Sequence, residues 1–316
     1  MEYIYMGLQV VFPLFSFMLV GYGVRKIGWL TEDIFSRINN VVFRLFMPLL
    51  VFLNGSNVDR QEIVSLTNVR VLVLALVGVG TILGISLFIC KFFIADIQKR
   101  AVIVQGIYRS NLVLFGLPVI LTIYGGAHTG TVSLLILFIT PTYNIIAAFV
   151  LGNALNKGKS FLQLLKQAFT NPLVLAALSG VTYNLLFDGF IPELILDPMV
   201  QLSRIATPLA FIVLGGSLRV GHIVESKKYV MVVCLLRLVL IPGVMLGIAV
   251  LLGITGPPLA VLLAAFSSPV AVSAYTMAKS MGVSPELAGD LVAATTVMSM
   301  ITVCGWVALL SFRGLI

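Results

Sequence analysis

No Asp, Glu, Lys or Arg occurs from Ser110 to Asn156, and none from Leu238 to Ala278. A soluble domain cannot use such stretches as surface, because its core must be covered by polar side chains, whereas a bilayer accepts an apolar exterior. The rest of the chain agrees. Of its 316 residues 59% are hydrophobic and 10% charged, against roughly a quarter charged in an ordinary soluble domain. The balance excludes a soluble enzyme, a disordered tail and a secreted scaffold, and it predicts an all-α polytopic membrane protein.

A transmembrane helix needs about 20 apolar residues to cross about 30 Å of hydrocarbon at 1.5 Å per residue. Ten stretches meet or approach that length, near residues 3–24, 38–54, 69–90, 101–124, 129–153, 171–187, 198–218, 229–252, 258–280 and 286–312. Gly125-Gly126 and the Gly-Ile-Thr-Gly-Pro-Pro run at 253–258 are the turns that divide the two charge-free stretches. Loops after the first, third, fifth, seventh and ninth spans hold thirteen basic residues, among them Arg25, Lys91, Lys157, Arg219, Lys228 and Lys279. The opposite side holds Arg60, Arg70 and Arg313. This asymmetry places both termini outside the cytoplasm, in a multi-pass cytoplasmic-membrane protein. Met-Glu-Tyr before the first span and Arg25-Lys26 after it mark a first transmembrane helix, not a cleaved signal peptide. The net charge of +8 is then topological, and with no aromatic-basic motif no nucleic-acid partner is expected.

Two short patterns suggest an internal duplication. Arg44-Leu-Phe-Met-Pro48-Leu49 in the second span matches Arg204-Ile-Ala-Thr-Pro208-Leu209 in the seventh, and Ala101-Val-Ile-Val in the fourth resembles Ala260-Val-Leu-Leu in the ninth. Mates five spans apart cross in opposite directions, which is the inverted-repeat pattern of secondary transporters. The expected organisation is repeat 1 over residues 1–152, a basic cytoplasmic linker over 153–169 and repeat 2 over 170–316.

Polar residues converge at one depth. Arg109, Ser110 and Asn111 lie about 8 to 10 residues into the fourth span, and Ser267, Ser268 and Pro269 about 9 to 11 into the ninth, roughly 12 to 16 Å from opposite faces. Pro269 removes a backbone hydrogen bond, and Gly116 and Pro118 loosen the fourth span again. The fourth and ninth helices are therefore expected to be broken and to cross at mid-membrane, with Gly116, Pro118 and Pro269 as hinge positions. Half-helix amino ends would offer N–H groups and positive dipole ends to an anion. Arg109 and Arg237 are the deepest arginines, and no Asp or Glu shares their depth. An arginine without its own acid can hold a carboxylate brought by a ligand. The candidate substrate residues are Arg109, Ser110, Asn111, Ser267, Ser268, Pro269 and Arg237.

The same lack of acids, with His128 and His222 both in loops, argues against a side-chain proton relay. The alternatives for coupling are a sodium site of carbonyl, hydroxyl and amide oxygens or a proton carried on the substrate, and uniport is a further option. Cys90, Cys234 and Cys304 lack metal-ligand spacing, so no metal ligands are assigned and no cofactor is expected. No phosphate loop, HExxH or GxSxG occurs, so the chain is not read as an enzyme.

Four segments, RSNLVLFGLP at 109–118, NPLVLAALSG at 171–180, TPLAFIVLGGSL at 207–218 and SSPVAVSAYTMAK at 267–279, together resemble the auxin efflux carrier family. That family includes plant PIN carriers and bacterial malate and malonate permeases, and the resemblance covers essentially the whole chain. It implies ten transmembrane helices as two inverted five-helix repeats, an elevator-like step against a scaffold, and a small organic anion as substrate, with Asn111 and the Pro269 segment at the crossover. Leu112-Val113 stands where small or hydroxyl residues are common in the family, which speaks against an auxin-like substrate. The expected function is secondary transport of a carboxylate, malate-like or malonate-like, across the bilayer, with a homodimer as one option for assembly. The alternative is a sensor or scaffold that keeps a transporter fold without moving solute.

Overall fold

The computed structural model describes residues 2–57, 65–124, 129–155, 170–217 and 223–316. The linker lysines, Arg60, Gly125-Gly126, His128, Arg219 and His222 lie outside the described residues. Within them the fold is all-helical. The helices are α1 Glu2–Lys26, α2 Glu32–Val41, α3 Met47–Ser56, α4 Leu66–Phe93, α5 Ile97–Tyr108, α6 Leu117–Tyr124 and α7 Thr129–Ala154. They continue as α8 Pro172–Phe187, α9 Glu193–Ser217, α10 Ile223–Leu235, α11 Ile241–Leu251, α12 Pro257–Ser267, α13 Val272–Met281 and α14 Pro285–Phe312.

Among the described residues, seven helical segments are long and apolar enough to span a membrane: 7–26, 32–56, 66–93, 131–154, 193–217, 226–251 and 285–312. Leu112–Tyr124, Pro172–Phe187 and Pro257–Ser267 are apolar but shorter. Large apolar side chains such as Phe93, Leu194, Leu251 and Ile301 stand exposed on the outer surface, which suits a lipid-facing exterior and would be unstable in water.

Local chemistry sets the helix ends. Ser65 caps α4 by accepting the Asn68 N–H at 3.2 Å, and Asp96 caps α5 by accepting those of Gln98 and Lys99 at 2.9 and 3.1 Å. Asn171 accepts the Leu173 N–H at 2.9 Å, with Pro172 in the first turn of α8. Three π-helical turns, Val42–Phe46, Leu112–Gly116 and Leu236–Leu240, each lead into a helix whose second residue is proline: Pro48, Pro118 and Pro242. Proline has no N–H and repels the carbonyl four residues back, so a widened turn follows naturally. At Pro242 that carbonyl belongs to Leu238, and it accepts the Trp306 indole N–H at 2.9 Å.

Two helix pairs pack backbone to backbone. A Cβ on Gly215 of α9 would collide with the Met18 carbonyl of α1, and one on Gly180 of α8 with the Phe52 carbonyl of α3. Only glycine permits this approach. The short helices α5 and α12 take the opposite position, at the centre. Every residue from Ala101 to Ile120 and from Leu259 to Ala271 is buried, as a helix that is apolar on all sides requires.

Candidate functional site

The two central helices stop where their sequence stops supporting them. After Tyr108 the backbone turns extended at Arg109, φ −87° and ψ 109°, and resumes as a π turn from Leu112. After Ser267 it is extended at Ser268, φ −61° and ψ 146°, until Val272 opens α13. The extended segments between the half-helices pair antiparallel at a single bridge, Ser110 opposite Val270. The Asn111 N–H donates to the Pro269 carbonyl at 2.9 Å, and the Ala271 N–H to the Arg109 carbonyl at 3.4 Å. The Val270 N–H goes to Thr295 Oγ1 on α14 at 3.1 Å. Each break thus satisfies much of the other's freed backbone, which a buried irregular segment must do.

Arg109 is 2% exposed. Its guanidinium donates to Asn144 Oδ1 on α7 at 2.6 Å, to Ser273 Oγ at 2.9 Å and to Met277 Sδ at 2.9 Å, the last two on α13. All three acceptors are neutral, and among the described residues no carboxylate pairs with it. A guanidinium has five donors and prefers charged, bidentate acceptors. Its charge is therefore held in place but left uncompensated.

A cavity of about 70 Å³ opens beside it, lined by Arg109, Ser110, Asn111 and the following turn to Leu114. Thr140, Tyr143 and Asn144 of α7 form another wall, with Ala271 and Ser273 at the start of α13. Phe43, Asn171 and Leu173 close it from the second and sixth predicted spans. By the geometry of a helix start the first N–H groups after Asn111 and Ala271 lack intrahelical acceptors, except that of Ala274, which donates to the Ala271 carbonyl at 2.8 Å. Asn111 Nδ2 is buried and has no hydrogen-bond partner among the described residues. At roughly 10 to 15 Å³ per water, this space holds a few waters or the head of a small anion.

Four predicted residues occupy other positions. Arg237 is fully buried but points away from the cavity lining, donating to the backbone carbonyls of Ser268 at 3.0 Å, Ala265 at 3.1 Å and Ile107 at 3.4 Å. These carbonyls belong to the C-terminal ends of α5 and α12, where helices leave carbonyls unpaired. The Ser267 hydroxyl donates to the Leu263 carbonyl at 2.7 Å and that of Ser268 to the Ala264 carbonyl, so both are turned into their own helix. Pro269 contributes its carbonyl to the crossing, not its ring to the cavity. Of the expected hinges, Gly116 is a contact point: a Cβ there would stand 3.1 Å from the Ala264 carbonyl and from Ser268 Oγ. Pro118 lies in the first turn of α6, beyond the break itself.

The structure also brings Tyr143 and Asn144 of α7 and Ser273 of α13 to the cavity, three residues outside the set expected from the sequence. The signal for Ser273 was its place within the 267–279 segment, four residues before Met277 on one helix face.

The family described as Membrane transport protein matches residues 6–307. The chain belongs to that family, the auxin efflux carrier family its motifs resemble. Its relatives are transporters. An uncharacterized transporter of Methanocaldococcus jannaschii is 26% identical over 310 residues, 96% of this chain and 99% of that protein. A second, from Methanothermobacter thermautotrophicus, is 25% identical over 306 residues, 96% and 98% of the two chains. A candidate malonate transporter of Rhizobium meliloti is 25% identical over 312 residues, 94% and 93%. This family member is accordingly a multi-pass membrane transporter, with a small-molecule substrate and no enzymatic relative among these.

Proposed function

We propose that the chain carries a small carboxylate across the cytoplasmic membrane, and that Arg109 holds the carboxylate in the cavity beside the crossing. The observation that carries this reading is a buried guanidinium facing a cavity with only neutral partners. A carboxylate would form the charge-assisted bonds that Asn144, Ser273 and Met277 cannot match. Asn111 and the first-turn N–H groups after Asn111 and Ala271 add donors of the same sign. A malonate-like or malate-like dianion suits such a concentration of donors, in keeping with the name given to the Rhizobium meliloti relative.

The transport step we propose is alternating access of elevator type within ten transmembrane helices arranged as two inverted five-helix repeats. Support comes from paired contacts. An inverted repeat exchanges the first span with the sixth and the second with the seventh, so a contact between first and seventh demands one between sixth and second. The tight pairs α1 with α9 and α8 with α3 are such mates. They form a scaffold, and the cavity lies where its second and sixth spans meet the moving crossing. Both termini face outward on the basic-loop argument. Sodium coupling would need oxygens other than the three carbonyls that Arg237 occupies.

The test is uptake of labelled malonate, malate and monocarboxylates into proteoliposomes, with and without a sodium gradient. Uptake that is saturable and falls by about 100-fold in Arg109→Ala supports the reading. Failure of active, folded protein to move any organic anion, or unchanged uptake in Arg109→Ala, overturns it. Tight carboxylate binding without counterflow would point instead to a sensor.

A further inference from the structure

A second cavity, about 710 Å³ and without Arg109 in its lining, lies between α4 and the α10–α11 rod. Its walls are two apolar stripes at helical spacing, Val77, Ile85 and Ile89 on α4 facing Val232, Leu236 and Val244 across the gap. Val77, Ile85, Ile89, Val232 and Val244 each remain about half exposed. The back wall is Ile103 and Ile107 of α5, the half-helix that ends in the crossing. Within the groove the Ser86 hydroxyl is satisfied by the Leu83 carbonyl at 2.9 Å. Its lining asks for hydrocarbon.

One end is basic. Lys228 lines the groove itself. Gly106 of α5 lies against Val233 of α10, and the Ile107 carbonyl meets Arg237, so the two helices run in the same direction. Their amino ends therefore come to one surface, bringing Lys99 and Arg100 near Lys227 and Lys228. Arg100 is within electrostatic reach of Cys90, which also lines the groove. Of the acids at that end, Asp96 is engaged as the α5 cap and Asp290 accepts the Ser226 hydroxyl, while Glu225 precedes the Lys227-Lys228 pair in sequence, against the four basic residues Lys99, Arg100, Lys227 and Lys228.

We propose that this groove binds the acyl chain of an anionic phospholipid, with the headgroup phosphate held by Lys228 and the neighbouring basic residues. The stretch from Tyr229 to Leu240 measures about 17 Å at 1.5 Å per residue, close to the hydrocarbon depth of one leaflet, half of about 30 Å. Basic pockets between helices at the cytoplasmic surface are suited to such headgroups. A chain lying there packs on Ile103 and Ile107, and so braces the half-helix whose last turn Arg237 holds. The choice of the cytoplasmic leaflet rests on the orientation proposed above; retention of the lipid does not.

The experiment is native mass spectrometry of the full chain released from nanodiscs of equimolar phosphatidylglycerol and phosphatidylcholine with identical acyl chains. Wild-type protein is expected to retain phosphatidylglycerol about fivefold over phosphatidylcholine, the preference one interfacial lysine supplies. Lys228→Glu, a change at an exposed side chain, should bring the ratio to about one or below. Val232→Trp should fill the groove and lower retention of both lipids; if it fails to fold, Val77→Trp on the opposite wall serves the same purpose. Equal retention by wild type, an unchanged ratio in Lys228→Glu, or retention indifferent to both tryptophans would overturn the proposal. So would a lipid-free dimer that either tryptophan converts to monomer, because the occupant would then be a second copy. None of these readouts involves transport, so a failed uptake assay leaves them standing.

Discussion

Arg109 and Arg237 are both buried arginines at the same crossing, yet they are held in different ways. Arg237 is bonded by three backbone carbonyls from the ends of α5 and α12. Arg109 is bonded by an amide, a hydroxyl and a thioether on α7 and α13. Backbone carbonyls at a helix end cannot turn away, and left unpaired in an apolar interior each is costly. Neutral side chains can rotate and yield their donor to a better acceptor. One guanidinium is therefore part of the frame, and the other is available to a guest. Residue type and depth alone do not separate the two roles; the identity of the acceptors does.

The largest effect that could break this comparison is on folding. Arg237→Met should strip three carbonyls of their donor and destabilise the protein by about 3 kcal/mol or more, visible as a lowered thermal midpoint and poor yield of monodisperse protein. Arg237→Lys, with one compact ammonium in place of a fork, should recover only part of it. A fully stable Arg237→Met protein would remove Arg237 from the frame.

Arg109→Ala should act the other way round. We expect a smaller change in midpoint than for Arg237→Met, with uptake efficiency down by about 100-fold, the equivalent of losing one strong charge-assisted pair. If the two arginines exchange these phenotypes, their assignment is inverted.

Smaller effects sharpen the picture around Arg109. Asn144→Ala and Ser273→Ala each release one hydrogen bond that orients the guanidinium, at about 1 kcal/mol, so KM for the carboxylate should rise about fivefold. Equal changes for every substrate would fit a role in orienting Arg109; a change confined to dicarboxylates would mean direct contact with the second carboxylate. The smallest effect is expected at Trp306→Phe. It removes the donor to the Leu238 carbonyl freed by Pro242, and should lower stability by about 1 kcal/mol with KM unchanged.

Much of the architecture was legible before any coordinate. Ser110 to Asn156 contains no charged residue, so it had to be shielded from water, and Gly253 to Pro258 had to turn the chain between α11 and α12. The break at Arg109-Ser110-Asn111 and the one before Val272 followed from polar residues and a proline placed deep within apolar helices. The π turns were not legible as such. Pro48, Pro118 and Pro242 announce a disturbed helix, but whether the turn widens or kinks depends on what accepts or donates nearby, as Trp306 does for Leu238.

The sequence by itself determined that this chain is helical, lives in a membrane and carries interrupted segments, because the cost of exposing a charge or an unpaired amide to lipid is the same wherever the residue sits in the fold. Only the tertiary structure decided which arginine faces a cavity, that Ser267 and Ser268 turn inward while Ser273 faces Arg109, and that a groove stands open behind α5. Those outcomes depend on the rotation of each helix about its axis and on residues far apart in the chain, such as Arg109 and Asn144 or Arg237 and Ile107. Hydrogen bonds a few ångströms long are fixed by that packing, and no local pattern along one helix encodes it.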